Sequence, residues 1–191
     1  MVQQASGVPR PVLIAALVLG VLLALTVAGI GIAGQYTSAQ QREAAAAAEQ
    51  ARRSGPLPLA PVPAPEAGSA ECREVLAAAP DELTIGDARV PHRALADPAP
   101  QATVAWGDAE HDPVTLRCGI DAPAELTPTS PLAEVSGVSW LEINEGGDTT
   151  WLAVDRPVYV ALSTPEGTGT GTLQDISAIL RERLPERPVL P

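Results

Sequence analysis

From Pro11 to Gly34 the chain reads PVLIAALVLGVLLALTVAGIGIAG, without one charged side chain. A stretch that apolar cannot form the wetted surface of a small globule, so it divides the 191 residues before any other feature is weighed. Rising about 1.5 Å per residue, a helix over it spans ~36 Å, enough to cross a hydrocarbon core of ~30 Å. The rival reading is a cleaved signal peptide, for which Thr37-Ser38-Ala39 offers a small-residue cleavage site. The run is longer than the roughly 7 to 15 residues of a signal-peptide core, which favours a retained anchor. No cysteine lies near its end, which excludes a lipoprotein anchor.

Charge counting leaves the orientation open, because Arg10 stands on one side of the run and Arg42, Arg52 and Arg53 on the other. The cysteines decide the expectation. Cys72 and Cys118 are the only two in the chain and both follow the anchor, as expected for one disulfide in an oxidising compartment. The carboxyl-terminal part is therefore expected outside the cytoplasmic membrane. The resulting division is a short cytoplasmic N-terminus over 1–10, a transmembrane helix over 11–34, a spacer over 35–66, an extracytoplasmic domain over 67–187 and a tail over 188–191.

Two kinds of spacer are expected. Gln35 to Arg53 is rich in Ala and Gln and lacks an apolar stripe, so it reads as a helical stalk of ~28 Å. Gly55 to Glu66, GPLPLAPVPAPE, favours an extended polyproline form that holds the domain away from the bilayer.

Beyond the spacer the charge changes sharply. Residues 1–66 carry four Arg against three Glu, a net +1, whereas residues 67–191 carry eight Arg against twenty acidic residues, a net −12. A domain that acidic is repelled by phosphate backbones and anionic headgroups, so nucleic acid is excluded as a partner.

Within it, Ser69 can cap a short helix through Ala79 that Pro80 ends. Apolar runs of strand length follow at Thr103–Trp106, Val114–Ile120, Val138–Ile143, Thr150–Val154 and Val158–Leu162. Asn144 to Asp148 reads as a hairpin loop. Thr172 with Asp175 resembles a capping box for a last helix, whose Leu173, Ile176, Ile179, Leu180 and Leu184 share one face. The gaps between strands are too short for crossover helices, so the expected fold is α+β, a small mainly antiparallel sheet with a helix at each end of the domain. Its core is thin, and a Cys72–Cys118 bridge closing a loop of some 47 residues would add about 4 kcal/mol.

Candidate chemistry is sparse. Cys72, His92, His111 and Cys118 show no close C-x-x-C or H-x-x-x-H pair, so no metal site and no cofactor are expected. His111 beside Asp112 offers a base and its orienter, with Ser136 or Ser139 as nucleophile, but no G-x-S-x-G elbow accompanies them and no catalytic residue is assigned. Asp108 with Glu110 is a carboxylate pair of the sort an acidic domain produces by chance. The loop Pro165 to Gly171 could present backbone N–H groups to an anion, though it lacks a Walker lysine and reads as a connector. Trp106, Trp140, Trp151 and Tyr159 either pack a core or line a groove. Trp106, His111 and Arg117 are the candidate binding residues.

Cys72, Leu76 and Pro80, then Ala105-Trp106-Gly107, Leu116-Arg117-Cys118-Gly119-Ile120, Pro123, Val138 and Trp140, Arg156-Pro157-Val158 and the terminal amphipathic helix together resemble the DUF3515 family. That family groups actinobacterial membrane-anchored or secreted proteins as a domain of unknown function. The resemblance covers about residues 70–187, and the chain departs from it in a longer acidic insert at Asp108–Asp112. It implies paired cysteines and an extracytoplasmic placement, and it supplies no reaction, cofactor or catalytic residue. The expectation is a non-enzymatic envelope module that binds an envelope protein or cell-wall component or acts as an accessory subunit. The alternative is a cell-wall-directed hydrolase or small-ligand-binding domain.

Overall fold

The computed structural model describes residues 19–20 and 40–189, Glu145 in its backbone only. Apart from Leu19 and Gly20, the expected membrane span lies outside the described residues. Among the described residues no helix is long and apolar enough to cross a membrane. Residues 40–54 are helical (α1) and almost entirely exposed, as an Ala-rich segment without an apolar stripe should be.

The domain is α+β. Its elements in order are α2 (Ala70–Ala77), β1 (Glu82–Ile85), β2 (Ala88–Pro91), β3 (Thr103–Trp106), β4 (Val114–Ile120), β5 (Leu132–Val135), β6 (Val138–Glu145), β7 (Asp148–Ala153), β8 (Tyr159–Thr164) and α3 (Gly171–Arg183). Strands β3 to β8 form one antiparallel sheet in the order β3-β4-β8-β7-β6-β5, and β1 and β2 form a separate hairpin. Alternation along each strand sends side chains to two faces. Val138 and Trp140, and Val160 and Leu162, meet α2, α3 and the hairpin in the main core, while Leu141, Leu152 and Ala161 join Leu126 and Val154 beneath the other face.

Ser69 caps α2 as expected, its hydroxyl accepting from the Cys72 N–H at 3.1 Å. The disulfide is present: Cys72 and Cys118 are both fully buried, with Cα atoms 5.5 Å apart, and they tie α2 to β4. The capping box does not form. Helix α3 starts at Gly171 behind Thr170, which makes no side-chain cap bond. Thr172 instead donates its hydroxyl to the Thr84 carbonyl, and Asp175 Oδ2 accepts from the Thr84 N–H at 3.3 Å. Strand β1 takes both groups that the local pattern assigned to the helix end.

The proline-rich segment also differs from a free standoff. Leu57 donates to the Ala94 carbonyl at 2.8 Å and accepts from the Ala96 N–H at 2.9 Å, forming a parallel bridge to Leu95. Further along, Glu66 donates to the Gly119 carbonyl at 3.1 Å. The segment is laid along the domain as a strap.

Gly119 explains how the strap can come so close. It sits at a bulge in β4, where Cys118 opposes Val160 and Ile120 opposes Tyr159, and its φ is +77°. The bulge turns Ile120 to the face opposite Cys118. A Cβ there would stand 2.3 Å from the Glu66 carbonyl carbon and 2.5 Å from the Ala67 nitrogen, both backbone atoms. Gly119→Ala is therefore expected to cost about 2–3 kcal/mol, from left-handed strain together with displacement of the strap. Urea denaturation followed by tryptophan emission measures it; a loss below about 0.5 kcal/mol would contradict the packing described.

Candidate functional site

The groove around His111 is built from three turns that are distant in sequence. The β1–β2 turn contributes Gly86 and Asp87, the β3–β4 loop contributes Glu110, His111 and Asp112, and the β8–α3 connection contributes Pro165 to Thr168. It encloses about 510 Å³ and is open to solvent. The Gly86 N–H donates to the Thr168 carbonyl at 2.8 Å, which joins two of its walls.

Asp108 shapes the third wall. Its Oδ1 accepts from the Glu110 N–H at 2.9 Å and the His111 N–H at 2.8 Å, and it lies 2.8 Å from His111 Nδ1. Desolvation raises the Asp108 pKa, but hydrogen bonds from the His111 ring, the His111 N–H and the Glu110 N–H, with the attraction of His111, outweigh it and leave the pKa below the ordinary carboxylate value. The loop is thereby held in one turn with the imidazole oriented.

Asp87, Glu110, Asp112 and Glu166 give the groove a strongly negative lining, and no arginine is among its lining residues. Arg53 reaches its rim, 3.1 Å from Asp112, in an exposed pair. The Pro165–Gly171 loop therefore adds an acid to the groove, and an anion would be repelled there. The one hydroxyl in the lining, on Thr168, donates to the Pro165 carbonyl at 2.6 Å, so it is not held as a nucleophile by His111. Ser136 and Ser139 belong to the β5–β6 end of the sheet and do not line the groove.

The sequence-derived candidates do not converge. His111 lies in the groove wall. Trp106 is fully buried, donates its Nε1–H to the Pro80 carbonyl at 2.8 Å and meets His92 edge-on, so it is a core residue unavailable to a ligand. Trp140 is likewise buried, its indole N–H on Ser177. Arg117 donates to the Ala60 carbonyl at 2.9 Å, so its role is to hold the strap; burial lowers its pKa. The cysteines are committed to the disulfide, and no group of three or more His, Cys, Asp or Glu side chains is placed to hold a metal ion among the described residues. Asp87 and Glu166 were missed because nothing local marks them: one sits in a short turn, the other in a connector.

No curated protein and no solved structure matches the chain. Residues 16–189 match the family described as protein of unknown function (DUF3515). With Trp106 ending β3, the LRCG segment on its partner strand β4 and the cysteines joined, the chain belongs to that family.

Proposed function

We propose that the chain is a single-pass membrane protein whose residues 11–34 cross the cytoplasmic membrane and whose domain lies outside, as a non-enzymatic binding or accessory module of the cell envelope. The observation that carries this reading is the fully buried Cys72–Cys118 bridge, since structural disulfides persist in oxidising compartments. The uncharged run 11–34 supplies the anchor. A contact surface around His111 is preferred to a catalytic one because the groove is open and its only lining hydroxyl is already engaged. Its acidic lining favours a partner bearing cationic groups.

In-cell crosslinking tests this reading. Replacing Asp87 and Asp112 by Asn and Glu110 and Glu166 by Gln is expected to reduce partner capture at least tenfold without moving the denaturation midpoint, whereas His111→Ala changes capture less than about twofold. A hydrolase reverses that ranking, with His111→Ala abolishing turnover. Raising salt weakens capture by screening the exposed carboxylates. Thiols freely alkylated in native, unreduced protein would overturn the compartment.

A further inference from the structure

The strap is held in a distinctive way. Arg93 Nε donates to the Gly55 carbonyl at 2.9 Å, and Arg117 Nη1 to the Ala60 carbonyl at 2.9 Å. The Asp121 N–H donates to the Pro63 carbonyl at 3.4 Å, Leu57 makes its pair of bonds to Ala94 and Ala96, and the Glu66 N–H reaches the Gly119 carbonyl. Each of these bonds uses a main-chain atom of the strap.

Over residues 55–60 its side chains follow a period of two: Leu57 and Leu59 are half-buried, while Pro56, Pro58 and Ala60 are exposed; beyond them Val62 is exposed and Ala64 alone of residues 61–66 is half-buried. This is the pattern of an extended peptide added to a protein surface, in which main-chain bonds give affinity and alternate side chains give selectivity. Proline suits the exposed positions, because it has no N–H to leave unpaired and its fixed φ reduces the entropy lost on docking. Residues 55–65 carry no charge, so an otherwise acidic domain accepts them without repulsion and supplies two arginines as carbonyl donors.

We propose that the surface formed by residues 93–96, Arg117 and residues 119–121 is a peptide-binding groove for uncharged, extended, proline-interrupted chain with apolar residues two apart, and that residues 55–66 are its occupant in cis. The inference is independent of compartment and of the acidic groove. Such a groove takes the same peptide in trans once the covalent link is cut, because the link supplies effective concentration and no contact.

Gly68 is exposed and a Cβ built on it meets no atom within 4 Å, so a site-specific protease sequence inserted there in the full chain costs at most the Arg73 Nη1 bond to its carbonyl and the Ser69 N–H bond to Glu66. After cleavage of the folded, detergent-solubilised protein, the fragment ending at the cut co-elutes with the remainder and is displaced by excess synthetic peptide of residues 55–67. The same peptide N-methylated at Leu57 competes at least tenfold less well, since it cannot donate to Ala94. Separation on cleavage alone, or equal competition by the methylated peptide, overturns the proposal. Hydrogen exchange on the uncut wild-type chain removes dependence on the insertion: the Leu57, Ala96 and Glu66 amides exchange together and at least tenfold slower than unstructured peptide. Exchange at the unstructured rate overturns it as well.

Discussion

A Cys72→Ala/Cys118→Ala chain is expected to lose about 4 kcal/mol of unfolding free energy, the loop-closure term for a sequence separation of 46. Both sulfurs are fully buried, so the small void left behind adds to this loss. The bridge matters this much because it fixes an eight-residue helix, too short to persist alone, to β4, which pairs with both β3 and β8. A loss of that size lowers the thermal midpoint by roughly 12–20 °C for a domain of this length. Tryptophan emission reports it, since Trp106, Trp140 and Trp151 all belong to the sheet. A change below about 1 kcal/mol would mean that the bridge is an ornament on an already sufficient core.

Arg156→Met is expected to cost about 3–5 kcal/mol, the range for removing one partner of a buried ion pair. Asp155 and Arg156 are 5% and 6% exposed, with Asp155 Oδ1 3.1 Å from Arg156 Nη1. The other carboxylate oxygen accepts from the Ser139 N–H at 2.8 Å, and the guanidinium donates to the Asp155 and Gly137 carbonyls. The pair therefore joins the β7–β8 connection to the start of β6. Removing the guanidinium strands a carboxylate away from water, and that penalty dominates. Adding Asp155→Asn to Arg156→Met is expected to recover more than half the loss, because the charge is gone while the amide oxygen still accepts from Ser139. A double-substituted chain no more stable than Arg156→Met alone would show that the contacts, rather than the charge, carry the effect.

Strands were legible where apolar and β-branched residues ran together: β3 and β4 have the limits expected from Thr103–Trp106 and Val114–Ile120. The hairpin over Glu82–Pro91 was not, because in ELTIGDARVP the apolar positions are few, Glu82, Asp87 and Arg89 interrupt them, and only Leu83, Ile85 and Val90 are buried. Strand β5 escaped for a related reason, being four residues at an edge with Leu132 and Glu134 outward. The capping box failed through competition, since a neighbouring strand offered Thr172 and Asp175 bonds that no window of sequence contains. The groove was illegible in the same sense: three turns meet there only because hairpin, sheet and α3 pack together. Arg117 was expected as a candidate binding residue; its actual partner, a carbonyl 57 residues upstream, was beyond local reading.

The strand order bears on how the protein is made. β8 is the last strand synthesised, yet it lies inside the sheet, pairing with β4 on one side and β7 on the other. Before residues 159–164 emerge, the β3–β4 hairpin and the β5–β6–β7 meander share no ladder, and each presents a bare edge to its surroundings. A chain that stops short of Tyr159 is consequently two unjoined half-sheets, ready for aggregation or a quality-control protease. Completion of one six-residue strand converts both into a single folded body.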